Sequence, residues 1–284
     1  MVRNLRLTIL VEDERNPRFP SLKSQHGLCI HAEVTVKNKR FAFLIDTGPS
    51  PKTLRRNAEA LKIDLSKIKG VFLTHGHYDH TGGLLEVLKH IDKNVPIVAH
   101  PLIFEPKFSF KPTLTYIGAP ISLMEVKNQG ASLLLSRNPV QFMEGISTTG
   151  EIERVTSYEK VEGLWTVSRE RFIPDILLDD QALIFKIEGK GLVIISGCAH
   201  SGIVNTVLHS RKIMKVEKIH AVIGGFHLKD ANEERIRQTI KDLAEFNPEM
   251  ICPCHCTGRK ATAMLKEAFG EDCIIVKTGD SIET

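Results

Sequence analysis

The sequence is poor in the features that would place a protein in a membrane, on a nucleic acid or outside the cell. In its 284 residues no apolar run approaches the roughly 20 that a bilayer-spanning helix needs. The opening stretch, MVRNLRLTILVEDERN, meets charge too soon for a secretory signal, so the expected location is the cytoplasm. Charge of one sign is also scarce: 38 Lys and Arg against 34 Asp and Glu leave a formal +4. A balance that small is what a mixed, solvated surface gives, and no nucleic-acid or membrane partner is expected. Disulfides are excluded by placement. Of 6 cysteines, Cys252, Cys254 and Cys256 alternate so closely that they cannot form an ordinary crosslinked framework. Their spacing is equally poor for an iron–sulfur cluster, whose motifs separate cysteines by two or more residues. Alternating thiols on a strand are expected to pack as small apolar side chains.

What is present is an ordinary globular composition, 42% hydrophobic and 25% charged, read as one domain over residues 1–284. Its organising stretch is VFLTHGHYDHTGG, residues 71–83. An apolar strand (70–74) delivers His75, His77, Asp79 and His80 into the following loop. Residues two apart in an extended loop point the same way, so His75 and His77 can close on one metal ion while Asp79 and His80 reach a second. Thr81 is the expected cap of a helix over 84–90.

This HxHxDH run resembles the signature of the metallo-β-lactamase superfamily, mostly hydrolases using zinc, iron or manganese. The resemblance implies an α/β fold, the αββα sandwich of the metallo-β-lactamase type, with two mixed sheets face to face and helices outside. It also implies a role for Asp46, which ends the hairpin of strands 28–37 and 40–45. Superfamily members carry an Asp one strand before the His motif, where it orients a ligating imidazole rather than merely capping a turn.

The chain then repeats the pattern. Strands over 183–187 and 192–195 end in Ser196-Gly197-Cys198-Ala199-His200-Ser201-Gly202, with a helix (203–216) behind. His200 is the best candidate to complete the first metal's set, and Cys198 is an alternative that could bridge or ligate as thiolate. Many superfamily members have a bridging aspartate here. The departure, with Asp179-Asp180-Gln181-Ala182-Leu183 before it, resembles a subgroup that includes archaeal dihydropterin–ribofuranosylaminobenzene phosphate synthases. Further on, a strand (219–223) leads to Gly224-Gly225-Phe226-His227, where His227 either hydrogen-bonds substrate or an oxyanion or fixes its own loop. Helices are expected over 232–246 and 259–269. By the resemblance, His255 is the final ligand, closing the second metal with Asp79 and His80.

Residues 104–173 look unlike scaffold. They mix prolines and aromatics with Lys107, Lys111, Arg137, Arg154, Arg169 and Arg171. Stacking faces and cations suit a segment covering an anionic, ring-bearing substrate, and an extra layer of ordinary structure is the alternative. His26 and His100 are the other histidines near the motifs, each read mainly as a loop or turn residue.

The implied function is a dinuclear metallo-hydrolase with two divalent metal ions, zinc first and iron or manganese as alternatives. A metal-activated hydroxide would attack a phosphorylated or ester-type small molecule, with Asp79 receiving the proton. One rival is a transferase joining a dihydropterin methyl group to a ribofuranosylaminobenzene phosphate. The other is a di-iron redox protein, which His77 argues against, since superfamily members doing oxygen chemistry typically place Glu there. The expected partner is a small anionic substrate, and the sequence is compatible with a homo-oligomer.

Overall fold

The computed structural model describes residues 1–110 and 112–284; Lys111, one of the bases counted above, lies outside the described residues. Strand β1 (Val2–Val11) pairs antiparallel with β2 (Cys29–Val36), which pairs with β3 (Lys39–Ile45). The hairpin turns at Lys37 and Asn38, both with positive φ (48° and 63°), one residue earlier than Asn38-Lys39 suggests. Helix α1 (Pro51–Ala60) starts on a Ser50 cap, and β4 (Ile68–Phe72) lies parallel to β3. The short helices α2 (Tyr78–Thr81) and α3 (Leu84–Leu88) follow, then β5 (Pro96–Ala99) parallel to β4. Thr81 does not cap α3: Gly83 holds that position, and the Thr81 hydroxyl donates back to the His77 carbonyl at 2.8 Å.

The segment 104–173 divides between two fates. Strands β6 (Lys107–Phe110) and β7 (Leu114–Tyr116) make one hairpin; helix α4 (Leu123–Asn128) and β8 (Ser132–Leu135) follow, and β8 extends the main sheet beside β5. Next, β9 (Gln141–Met143) and β10 (Ile146–Thr148) also join the main sheet, β10 against β13 (Ala182–Ile187). Between them in sequence, β11 (Leu164–Ser168) and β12 (Arg171–Pro174) complete a separate four-stranded antiparallel sheet, ordered β12-β11-β6-β7. Part of this segment is therefore scaffold, and only the small sheet stands apart from it.

The second half continues with β14 (Gly191–Ser196), α5 (Ile203–Met214), β15 (Ile219–Gly225), α6 (Glu233–Glu245), β16 (Met250–Cys254), α7 (Arg259–Phe269) and the edge strand β17 (Ser281–Glu283). One hydrogen-bonded order, β16-β15-β14-β13-β1-β2-β3-β4-β5-β8, runs through both halves. They meet at a single β1–β13 pair, Val2 with Ile187, so the two sheets are one ladder folded over at that seam.

Strand alternation builds the layers. Phe43, Ile45, Val193 and Ile195 point into a shared central cluster. Their neighbour Leu44 packs outward with Leu54 of α1 and Leu84 of α3. Ile194 packs outward on the other side with Val207 of α5, Leu243 of α6 and Leu265 of α7. The result is the αββα sandwich. No helix of the described residues is long and apolar enough to cross a membrane.

Candidate metal centre

The ligand loop begins where β4 ends, and two carboxylates from elsewhere hold its backbone. Asp46, fully buried at the end of β3 with φ 56°, accepts from the Thr74 N–H and from the Thr74 hydroxyl, both at 2.7 Å. Its Oδ2 also lies 2.6 Å from His80 Nδ1. That contact fixes the His80 ring so that Nε2 faces the centre. Asp179 accepts from the Gly76 N–H at 2.8 Å, between the two motif histidines. The far oxygen of Asp179 takes Lys107 Nζ at 2.8 Å, and Asp175 takes it at 3.2 Å. A side chain at residue 76 would meet the Ile103 carbonyl at 2.2 Å, so glycine is required there.

Two donor clusters result. In the first, candidate ligand atoms of His75, His77 and His200 lie within 4.8 Å of one another. Burial drives these imidazoles toward the neutral form: His77 falls to about 3, and His75 and His200 fall well below the ordinary range, with neighbouring imidazoles adding to the effect. In the second, Asp79 Oδ2 is 3.3 Å from His255 Nε2 and 3.6 Å from His80 Nε2, and the two imidazole nitrogens are 3.3 Å apart. Burial alone would raise Asp79, but His80 and His255 hold it well below the carboxylate range. Burial would lower His80 and His255; Asp46 and Asp79 outweigh it for the first, Asp13 and Asp79 for the second. In this state protons supply the positive charge that Asp79 faces, and a bound cation would replace them.

Sulfur sits between the clusters. Cys198 Sγ is 3.2 Å from His80 Nε2, and it groups with His75 and His80, with His200 and His227, and with His255 and Cys256. Burial pushes the Cys198 thiol well up. Burial acts likewise on Cys256, but hydrogen bonds with Cys198 and His227 outweigh it and hold that thiol low.

These residues fit a metal centre. Among the described residues His77 Nε2 and both ring nitrogens of His200 are buried without a hydrogen-bond partner. Unpaired buried nitrogens are costly, and a cation gives them a partner. Every motif residue singled out in the sequence is thus brought to one place. His227 stands there too, its ring 4.1 Å from that of His200 and its Nδ1 unpartnered.

Other readings need correction. His26, weighed as an ordinary loop residue, lines the cavity: Nδ1 is 2.8 Å from Asp13 Oδ2, Nε2 is 3.5 Å from Asp79 Oδ2, and the ring stacks near His255 at 4.8 Å. Glu12 and Asp13, which follow β1, hold His255 through its N–H (2.9 Å) and Nδ1 (2.7 Å). No local pattern marks them, because their partner lies more than two hundred residues away in sequence. His100, by contrast, is the turn residue the sequence suggests: its Nδ1 accepts from the Leu102 N–H at 3.1 Å and its Nε2 meets Glu151, away from the centre. Lys107 is buried in its carboxylate pair, and Arg154 binds the backbone carbonyls of Ile176 and Leu177, so neither faces a ligand.

The cavity over the centre measures about 330 Å³. Tyr78, Ile117 and Leu164 give it an apolar wall, the last from the small sheet, which is tied to the ligand loop by the Tyr78 N–H to Ile117 carbonyl bond (2.9 Å). Its cations are Lys160, Lys229 and Arg235.

A family model described as the metallo-beta-lactamase superfamily matches residues 34–255. The chain is 40% identical over 277 residues to the 7,8-dihydropterin-6-methyl-4-(β-D-ribofuranosyl)-aminobenzene-5'-phosphate synthase of Methanocaldococcus jannaschii, a match covering 95% of this chain and 94% of that protein. Among solved structures, a metal-dependent hydrolase of the β-lactamase superfamily is 27% identical with a TM-score of 0.81, covering 99% of each chain. A diphosphatase of the PhnP family, 14% identical with a TM-score of 0.50, covers 100% of this chain and 98% of its own, and shares the fold.

Proposed function

The chain belongs to the metallo-β-lactamase superfamily, and from that premise we propose that it is a metal-dependent transferase joining a dihydropterin methyl carbon to a ribofuranosylaminobenzene phosphate. The observation that carries this reading is the 40% identity, over 95% of the chain, to a protein named as the synthase of that product. The cavity agrees in kind: an apolar wall for flat rings, and cations for phosphate.

His75, His77 and His200 would hold one divalent cation, and Asp79, His80 and His255 a second, with Cys198 close to both donor sets. Zinc suits this mixture of imidazole, carboxylate and thiol, with iron and manganese as alternatives. Bound there, such cations would supply positive charge for a leaving pyrophosphate. Asp46 and Asp13 keep the His80 and His255 rings aimed at the centre. Tyr78 and Leu164 stack the pterin, while Arg235 and Lys229 take the acceptor's phosphate. As the carbon–nitrogen bond forms and the carbon–oxygen bond to pyrophosphate breaks, the acceptor nitrogen loses a proton. His26, in the cavity and oriented by Asp13, is placed to receive it. A cytoplasmic setting accords with six free, buried thiols.

A second reading, a hydrolase in which water replaces the amine, is favoured by the full-length likeness to the metal-dependent hydrolase. Incubating the metal-loaded protein with a dihydropterin methyl pyrophosphate, with and without the ribofuranosylaminobenzene phosphate, separates the two. Pyrophosphate release that needs the amine and yields the joined product supports the transferase. Equal release without the amine, or cleavage of phosphodiesters or carboxylic esters alone, moves the assignment to the hydrolase.

A further inference from the structure

The cysteines sort into two groups. Cys29, Cys252, Cys254 and Cys273 each belong to one of the three apolar clusters, where a thiol behaves as a small hydrophobe. Cys198 and Cys256 are equally buried, at 3% and 7% exposure, and belong to none. The reason is a break in strand alternation. Cys252 and Cys254 share the inner face of β16, and an unbroken strand would place Cys256 on that face too. His255 instead adopts φ 50°, which swings Cys256 toward Cys198, whose carbonyl its Sγ meets at 3.6 Å.

Neighbouring backbone keeps the sulfur there. The Lys229 N–H donates to the Cys256 carbonyl at 3.1 Å, and the Phe226 N–H donates to the Thr257 hydroxyl at 3.1 Å. Gly225 leaves the room: a Cβ there would stand 2.5 Å from Cys256 Sγ and 2.5 Å from the Gly197 carbonyl. Donor atoms of Cys198, His255 and Cys256 all fall within 4.8 Å of one another.

We propose that Cys256 is, together with Cys198, a sulfur donor to the cation on the Asp79, His80 and His255 side of the centre. That side is then a site for a thiophilic divalent cation such as zinc, and discriminates against manganese and magnesium. The inference rests on the metal-centre reading above but not on which reaction the centre performs.

The test is optical. Cobalt(II) bound by thiolate gives an intense ligand-to-metal charge-transfer absorption that imidazole and carboxylate do not. Cobalt-loaded wild type shows it, Cys256→Ser and Cys198→Ser each keep part of it, the double variant loses it, and Cys254→Ala leaves it unchanged. Zinc affinity of Cys256→Ser falls by more than about tenfold while manganese affinity holds. An unchanged band in Cys256→Ser, with none left in Cys198→Ser, overturns the proposal and leaves the metal centre standing. A wild type that takes up no cobalt overturns both. If Cys256→Ser does not fold, Cys198→Ser decides alone: residual thiolate absorption supports Cys256 as donor, and its absence refutes it.

Discussion

The first half of the sheet delivers its donors from one continuous stretch, His75 to His80, whereas the second half delivers Cys198 and His200, His227, then His255 and Cys256 from the ends of three separate strands. The two solutions are held in place differently. The continuous loop relies on hydrogen bonds from outside: Asp46 to Thr74 and His80, and Asp179 to Gly76. The strand ends combine such bonds, from Glu12 and Asp13 to His255, with left-handed backbone at Ala199, His227 and His255 (φ 52°, 47° and 50°). Left-handed backbone at such residues costs on the order of 1–3 kcal/mol each and persists where surrounding structure imposes it. A ligand set gathered on one loop therefore leaves a motif in the sequence, and one spread over strand ends leaves only isolated residues.

Three substitutions probe that difference, starting with the largest effect. Lys107→Met removes the buried cation that Asp175 and Asp179 share beneath the first-half loop. The buried Asp179 and the partly buried Asp175 are left without it, and unfolding free energy should fall by about 3–5 kcal/mol, measured by denaturant titration of the metal-loaded protein. A loss under about 1 kcal/mol would mean that the loop does not depend on this support. Asp46→Asn keeps the shape but weakens the hold on His80; metal affinity should drop by about 10–100-fold with little change in fold, read by competition with a chelating dye. An unchanged affinity would show that the His80 ring needs no such partner. The third change touches the second half, which contributes Lys229 and Arg235 to the cavity. Arg235→Gln should raise KM for the phosphorylated acceptor by about tenfold, roughly one lost charge-assisted hydrogen bond, and leave kcat and metal content as they were. A fall in kcat alone would place Arg235 in the chemistry instead.

Legibility in the sequence followed the same divide. The HxHxDH loop, Cys198 and His200 could be read because each ends an apolar strand at a small-residue turn, Asp46 and His255 only through the resemblance to the superfamily, and the alternation of those strands gave the layers. What escaped depended on partners distant in sequence or on a change of backbone phase. Glu12, Asp13 and His26 gain their meaning from His255 and Asp79, on segments distant in sequence. Cys256 looked like a third core thiol until the φ of His255 turned it. Lys107 and Arg154 looked like anion contacts because sequence shows a cation's charge but not the carboxylates or carbonyls that occupy it. The segment 104–173 looked like a single insertion because the pairings of β8 with β5 and of β10 with β13 are non-local.

Loop and strand ends are proposed to close on two cations, one per donor cluster. Elemental analysis of the purified protein beside a His75→Ala/His80→Ala variant, each stripped with chelator and reloaded with zinc, tests it most directly. Two zinc equivalents per wild-type chain and an empty centre in the variant, with all turnover lost, are expected. Stoichiometric metal retained by the variant, or a wild type that binds none, would contradict it.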